Sequence, residues 1–460
     1  MDGEPLSSLL APCRHDRATG EALTAVQERR LRRQVERAYR DVGFWHDLFE
    51  ASGLTPGDVR KTGDLRKLPL SSKEDLLGRP LQYRLASDRS RLVKMFTSGT
   101  TGPPMEVYYS RGFTLATAAY LYDHFRTWFG LGRLYRVLQL SSLPGALAPP
   151  PGSPEAREHS GRVRTKRALG LGTHALRPVM DRFVRLVYFG DDVRAALPTI
   201  GGFSPDLIMT NSAYLRRLAE SADGANWTAR PRVLIATGEP LDEPTRAHAE
   251  RRLRSKVRQM YGSNETGPLA LECLEGAGLH VFSDRAIVEV LSEDGDPVTP
   301  GLLGEIVVTE LTNGGMPLLR YRMRDVGYSS AEACPCGRSL PLLGSVEGRR
   351  RDCVTTEDGR LVTPKRILGL MHQVDGLPRC QLVQHSAGSF TVRVFVRGEA
   401  PDPGVDRLVS ALMGSLEREL RPSREISVSR IVGGEEPRGK MRPVIVEMRA
   451  DRRRVLAEAT

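Results

Sequence analysis

The sequence predicts an α/β protein in two parts, a large N-terminal α/β core followed by a small α+β C-terminal domain. Three observations carry that expectation. The chain is 460 residues long, more than one hydrophobic core ordinarily serves. Through its middle, short apolar runs alternate with helix-like stretches, the rhythm of largely parallel strands joined by helices. After Gly348 the pattern changes to closely spaced strands around a single helix.

In chain order, residues 22–52 predict an amphipathic helix or helix pair, because Leu31, Val35, Ala38, Tyr39 and Val42 recur at helical spacing. The basic cluster Glu28-Arg29-Arg30-Leu31-Arg32-Arg33 reads as the solvated face of that helix. Ser71 or Ser72 caps a second helix, with Glu74 and Asp75 in its first turn. Val137–Leu140, Leu207–Met209 and Val233–Ala236 are strand-like, while 211–222 and 242–257 are helix-like. Residues 144–172 are rich in Pro, Gly and Arg, including Pro149-Pro150-Pro151, and read as a mobile surface loop. Beyond Gly348, strands are expected at 354–356 and 361–362 around the Glu357-Asp358-Gly359 turn. More follow at Val383, 390–396, 426–432 and 443–448, with a helix over about 405–420. The boundary falls at 348–352, giving domains 1–348 and 349–460.

Composition narrows the function classes. Hydrophobic residues make up 40% and charged residues 27%, the balance of a globular protein in water. No run approaches the roughly 18 apolar residues of a membrane span. The first twenty residues lack the basic-then-apolar order of a signal peptide. Six cysteines are too few for a disulfide framework, so a cytoplasmic setting is expected. The net charge of +11 raises nucleic acid as a partner. The arginines are scattered among abundant acids, however, so no nucleic-acid surface is expected. A positive surface equally suits ATP, pyrophosphate and an acidic substrate.

One segment stands out chemically. Thr97-Ser98-Gly99-Thr100-Thr101-Gly102 supplies two glycines and four hydroxyls, enough for a tight loop whose N–H groups and hydroxyls surround phosphate oxygens. The Gly-Lys-Ser/Thr ending of a Walker A loop is absent. Alone, such a composition is more commonly an ordinary turn between strands.

It is one of an ordered series. Thr97–Pro104, Thr237-Gly238-Glu239-Pro240-Leu241, Tyr261-Gly262-Ser263-Asn264-Glu265-Thr266-Gly267, Tyr321-Arg322-Met323-Arg324-Asp325-Val326-Gly327, Gly348-Arg349 and Pro437-Arg438-Gly439-Lys440 follow one another. This order resembles the motif series of adenylate-forming enzymes. The stretch 27–76 and Gly278-Leu279-His280 followed by Cys334-Pro335-Cys336-Gly337-Arg338 resemble their phenylacetate–CoA ligase branch. The resemblance runs from about residue 25 to 448 and implies an adenylate-forming α/β core with a mobile C-terminal lid.

It also implies roles. A carboxylate attacks the α-phosphorus of ATP, and pyrophosphate leaves with Mg²⁺. Such chemistry asks for positioning and charge stabilisation more than covalent help. Thr97, Ser98, Gly99, Thr100, Thr101 and Gly102 would hold the outer phosphates. Tyr261, with Gly262 and Ser263 beside it, would lie against adenine, and Gly238, Glu239 and Pro240 would sit alongside. Asp325 would accept from the ribose hydroxyls near Arg349. Glu265 would hold Mg²⁺, Asn264 would contact a phosphate or carboxylate, and Lys440 would bridge the α-phosphate and the acid. Relatives commonly have Thr or Ser at the Asn264 position and Lys at or after Pro104, where Met105 follows here. Cys273, His280, Cys334 and Cys336 would bind a structural Zn²⁺. An ordinary set of buried cysteines is the alternative.

The expected activity is formation of an acyl-AMP from a small, aromatic-type carboxylic acid, then transfer to a thiol such as coenzyme A. Transfer to an amine, or activation of nitrite for aryl-amine diazotisation, are the alternatives. A carrier protein and a second copy of the chain are the candidate protein partners.

Overall fold

The structure is a computed structural model, and it describes residues 16–87, 92–96, 105–141, 164–166, 183–188, 193–222, 227–396, 402–432 and 442–447. The described chain divides into two compact units. The first comprises residues 1–211, 226–238 and 255–346; the second comprises 212–225, 239–254 and 347–460.

The first unit opens with helices α1 (Gly20–Asp41) and α2 (Gly43–Ala51). Thr19 caps α1 by accepting from the Ala22 N–H at 3.3 Å. Leu23, Val26, Leu31, Val35 and Ala38 form its buried stripe. Arg30, expected on the solvated face, is buried instead. Its guanidinium donates to the Asp284 carbonyl at 2.5 Å and pairs with the Asp284 carboxylate at 3.6 Å. A buried guanidinium is tolerated where an acid answers it, and nothing in the local spacing announces an acid so far along the chain.

Ser72, rather than Ser71, caps the short helix α3 (Lys73–Leu77) in a capping box with Asp75. Ser71 has another duty. Its N–H donates to the Arg320 carbonyl at 2.9 Å, and its own carbonyl accepts from the Arg322 N–H at 2.8 Å. After α4 (Leu81–Arg84) comes a separate antiparallel hairpin of β1 (Leu92–Phe96) and β2 (Glu106–Ser110), followed by α5 (Arg111–Trp128).

The main body is a twelve-stranded sheet. Its strands are β3 (Val137–Ser141), β4 (Arg164–Lys166), β5 (Val184–Tyr188), β6 (Leu207–Thr210, preceded by helix α6, Leu197–Phe203), β7 (Val233–Thr237), β8 (Lys256–Ser263), β9 (Gly267–Glu272), β10 (Leu279–Val281), β11 (Ala286–Leu291), β12 (Gly304–Glu310), β13 (Tyr321–Ser329) and β14 (Leu342–Arg349). The order is β11-β12-β13-β14-β10-β9-β8-β7-β6-β3-β5-β4. Parallel pairing runs from β8 through β7, β6 and β3 to β5. The parallel expectation thus holds for the middle strands β3, β6 and β7 from which it was drawn, but the sheet changes beyond β8. From β8 to β9, and through β11, β12 and β13, the strands pair antiparallel and no helix intervenes; the β8–β9 link of three residues is far too short for a crossover.

Alternating residues of single strands divide between two cores. Tyr261, Ala270 and Leu343 belong to one, with Trp45 and Phe49; Met260, Leu271 and Leu342 belong to the other, with Trp128 and Phe282. This is the period-2 pattern of a sheet buried on both faces.

The second unit contains α7 (Ser212–Ser221) and α8 (Glu243–Leu253) besides the C-terminal part. The helix expected over 242–257 stops at Leu253, because Arg254 turns left-handed with φ 52° and Lys256 already belongs to β8. The C-terminal part has a small ladder of β15 (Val354–Thr355) and β16 (Leu361–Val362), then α9 (Pro364–His372). Its four-stranded sheet comprises β17 (Cys380–Ser386), β18 (Ser389–Val396), β19 (Ser427–Val432) and β20 (Val444–Val446), in the order β19-β18-β17-β20. Helix α10 (Pro403–Leu420) contributes Val409, Leu412, Leu416 and Leu420 to the core of this part, a 3–4–4 spacing that makes one apolar stripe. No helix among the described residues is long and apolar enough to cross a membrane.

Candidate active site and metal centre

The β8–β9 hairpin carries the densest set of expected site residues. The ladder slips between Tyr261 and Gly262, pairing Tyr261 with Ala270 but Gly262 with Pro268. Only glycine fits the slip, since a Cβ on Gly262 would stand 2.4 Å from the Gly267 carbonyl oxygen. At the tip, the Ser263 hydroxyl accepts from the N–H groups of Glu265 (3.1 Å) and Thr266 (3.2 Å). That side chain folds the turn from inside.

Asn264 is held from both ends. Its Nδ2 donates to the Phe96 carbonyl at 2.8 Å, and its own carbonyl accepts from the Tyr109 hydroxyl at 2.6 Å. Burial raises the Tyr109 phenol well above its usual value, so it stays a donor. The tip is thereby bound to β1 and β2, the two strands that flank residues 97–104. The half-buried Glu265 makes no hydrogen bond or ion pair through its carboxylate among the described residues. Its oxygens are available to a hard cation.

Beneath the tip, the Tyr261 hydroxyl donates to Asp325 Oδ2 at 3.0 Å, with both residues buried. Asp325 lies in β13 just after Arg324, whose φ is +59° and whose guanidinium donates to Glu74. Two residues on, a Cβ at Gly327 would lie 2.4 Å from the Ser345 carbonyl oxygen, so this strand also needs its glycine. Gly238, with φ +77°, turns the chain out of β7.

In the second unit, Glu239 Oε2 accepts from the Ala213 N–H at 3.2 Å, and its carbonyl accepts from the Ser212 hydroxyl at 3.3 Å. Pro240 lies 3.5 Å from where a Gly348 Cβ would stand, next to Arg349 at the end of β14.

A second constellation lies in the other core of the first unit. The ligand atoms of Cys273, His280, Cys334 and Cys336 all fall within 4.8 Å of one another. Cys273 Sγ and Cys334 Sγ are 3.6 Å apart, and Cys336 Sγ and His280 Nε2 are 3.4 Å apart. Zinc–sulfur bonds of about 2.3 Å at tetrahedral angles put sulfurs about 3.8 Å apart, so the residues present fit the ion. Burial, with help from the Arg338 charge, lowers His280 to about 4 and keeps it a neutral imidazole, the ligating form. Burial raises the Cys334 thiol to about 12. Burial pushes Cys336 the same way, but hydrogen bonds from Arg338 more than offset this and hold it low.

The surroundings fix these ligands. Arg258 donates through Nε to the Cys273 carbonyl at 2.7 Å and also to the Leu274 carbonyl. Gly337, φ +74°, donates back to the Cys334 carbonyl at 3.2 Å. Trp128 meets His280 edge-on, with centroids 5.3 Å apart, while its indole N–H donates to Asp16 at 2.5 Å.

No family model matches the chain. The phenylacetate–coenzyme A ligase of Thermus thermophilus is 28% identical over 378 residues, 80% of this chain and 80% of that protein. The Escherichia coli enzyme of the same name is 29% identical over 318 residues, covering 67% and 68%. Over most of its length the chain is similar to phenylacetate–CoA ligases, the branch of adenylate-forming enzymes that its motif series resembles. Its fold agrees. A 2-hydroxyisobutyryl-CoA ligase in the postadenylation state, in complex with R3-HIB-AMP, superposes with a TM-score of 0.74 over 96% of this chain and 93% of its own, at 18% identity. An anthranilate CoA ligase in complex with anthranoyl-AMP gives 0.52 over 83% and 73%, at 13% identity.

The structure brings together Tyr261 with Asp325, Ser263 with Glu265 at the β8–β9 tip, and Asn264 with the end of β1. It brings together all four expected zinc ligands. Glu239, Pro240 and Arg349 fall in the second unit. Thr97, Ser98, Gly99, Thr100, Thr101, Gly102 and Lys440 lie outside the described residues, as does most of 144–172. Sequence reasoning missed Tyr109 and Arg258. Both act on backbone carbonyls of distant segments, and neither sits in a motif.

Proposed function

We propose that the protein activates a small carboxylic acid of aromatic type with ATP, forming an acyl-AMP and releasing pyrophosphate, and then passes the acyl group to coenzyme A. The observation that carries the reading is the Tyr261–Asp325 pair beneath the Ser263–Glu265 tip, in a chain whose curated relatives over 80% of its length are phenylacetate–CoA ligases. Tyr261 offers a ring for adenine, and Asp325 is a carboxylate, which accepts at each oxygen through more than one lone pair and so suits ribose hydroxyls. Residues 97–102 hold the outer phosphates. Glu265 would hold Mg²⁺, which supplies charge neutralisation on the departing pyrophosphate.

The acid's oxygen forms a bond to the α-phosphorus as the α–β bridge breaks. Lys440 sits between the two anions and lowers the cost of their approach. In the second half-reaction a thiolate attacks the acyl carbon and AMP leaves. Residues 1–348 form the nucleotide- and acid-binding domain, and 349–460 the lid that carries Lys440. Cys273, His280, Cys334 and Cys336 would hold a structural zinc, whose four protein ligands leave no open position for substrate.

A panel of aromatic acids, and of aryl amines with nitrite, scored by pyrophosphate release and product mass, tests this. Small aromatic acids should release pyrophosphate and, with coenzyme A, give thioesters. Release with nitrite alone, or preference for palmitate-sized acids, would overturn it. Lys440→Ala should lower pyrophosphate release by ~10²–10³-fold, the scale of one lost preorganised donor. Conversion of preformed acyl-AMP should persist.

A further inference from the structure

We propose that Asp16 is the positioning residue of the Cys/His centre, holding Arg338 against Cys336 so that the buried sulfurs meet a divalent ion as a charge-balanced set. The proposal rests on the zinc reading given above. Three thiolates and a neutral imidazole around Zn²⁺ leave one net negative charge. Cys273, His280 and Cys334 are buried and Cys336 is half-buried, and a charge at such depth is costly unless a partner answers it. Arg338 brings that partner, since its side chain donates to Cys336.

Asp16 sets where Arg338 stands. Its Oδ2 lies 3.8 Å from Arg338 Nε, and the two side chains are 9% and 12% exposed. The same oxygen accepts from the Trp128 indole N–H at 2.5 Å. Arg338 in turn lies over the Trp128 ring, 4.5 Å from its centroid. The guanidinium is thereby held by a carboxylate at its edge and by an aromatic face beneath it. Because Trp128 also meets His280 edge-on, Asp16 reaches two of the four ligands through one side chain each.

Asp16 is itself fixed by its neighbours. Its Oδ1 lies 3.3 Å from His124 Nε2, and the Nδ1 of that ring lies 2.8 Å from the Tyr120 carbonyl. The main-chain carbonyl of Asp16 accepts from the Ser339 N–H at 2.8 Å and from the Ser339 hydroxyl at 3.2 Å. Main chain and side chain therefore grip the same pair, Arg338 and Ser339, across 323 positions of sequence. A carboxylate that served folding alone would not need to be aimed at the cation that answers a ligand.

Full-length protein loaded with zinc, and in parallel with cobalt, tests the assignment. Competition against a chromophoric chelator reads zinc affinity, the thiolate-to-cobalt absorption reads the ligand set, and thermal unfolding reads the fold. Asp16→Asn keeps the shape and an oxygen for Trp128 but removes the charge that holds Arg338. It should weaken zinc affinity by about 10- to 100-fold, the usual cost of losing an outer partner of a metal ligand, and shift the cobalt absorption. Arg338→Lys keeps the charge but loses the planar fork, and it should weaken zinc binding too. The double variant should bind within about threefold of the weaker single variant, because the two residues act in series. Asp242→Asn removes a buried acid of the second unit and should change neither metal readout.

Wild-type protein that binds neither ion would sink the zinc reading itself. Wild-type binding with normal affinity and an unchanged cobalt spectrum in Asp16→Asn would overturn the positioning role alone. If Asp16→Asn does not fold, Arg338→Lys decides, and normal affinity and spectrum there overturn the role as well. Fully additive losses in the double variant, or an equal loss of affinity in Asp242→Asn, would reduce Asp16 to a general contribution to stability and overturn it too.

Discussion

The two constellations of the first unit solve opposite problems. At the Cys/His cluster, all four donor atoms already converge within 4.8 Å, and Arg258 and Gly337 hold their backbones. At the β8–β9 tip, side chains are tied down one by one while the Glu265 carboxylate keeps no protein partner among the described residues. The first is closed by the protein and the second waits for a ligand. Neighbouring residues of one strand, Met260 and Tyr261, serve the two sides. A site completed by protein atoms declares itself as converging ligands. A site completed by substrate looks, without it, like a set of well-tethered loops.

Removing one member of the closed site should have the largest effect. Cys334→Ser should lose about one zinc per chain and lower the unfolding temperature by at least about 10 °C, because metal binding there is folding energy. Metal analysis with thermal unfolding measures both. Wild-type protein that is metal-free yet equally stable would erase the contrast.

At the open site, Tyr261→Phe removes a donor from a buried carboxylate, worth about 1.5–3 kcal/mol. The expected result is an ATP KM raised about tenfold with the thioester step spared. An unchanged ATP KM would show that Asp325 needs no preorganisation.

The smallest effect concerns a closed polar group in the second unit. Asp242 caps α8, and His372 Nδ1 lies 3.0 Å from its carboxylate. Burial pushes Asp242 up, but His372 and the Thr245 N–H more than offset this, so its pKa is lowered. A carboxyl lowered in the folded state stabilises above its unfolded pKa, about 3.8, and that contribution disappears as pH falls through the folded value. Asp242→Asn should therefore cost about 1 kcal/mol at pH 7 and clearly less near pH 2. Denaturant titrations at both pH values check it; equal cost at both would assign the effect to the cap geometry alone.

Much of this architecture was readable from residues. The strands at 137–140, 207–209 and 233–236 and the helix at 211–222 lie where their apolar runs put them. The grouping of Cys273, His280, Cys334 and Cys336 was readable, because thiols and an imidazole beside turn glycines are rare, and the structure does bring the four together. What stayed hidden were contacts that local spacing does not encode. Arg30 looked solvated because its partner Asp284 lies far downstream in the chain. The antiparallel half of the sheet was hidden because a strand's own sequence does not state the direction of its neighbour. The hydrogen bond from Asn264 to the Phe96 carbonyl was hidden for the same reason as the Arg30 pair.

That last hydrogen bond has a consequence for anyone recombining this chain with its relatives. Residues 96 and 264 are 168 positions apart, so a crossover between them would separate two halves of one mechanical part. A chimera that takes the 256–272 hairpin from a relative with Ser or Thr at the 264 position would leave the Phe96 carbonyl without its carboxamide donor. The short hydroxyl does not span the reach of a carboxamide. Such grafts should work only when segment 92–110 travels with the hairpin, which makes the pair, rather than either motif, the unit of inheritance.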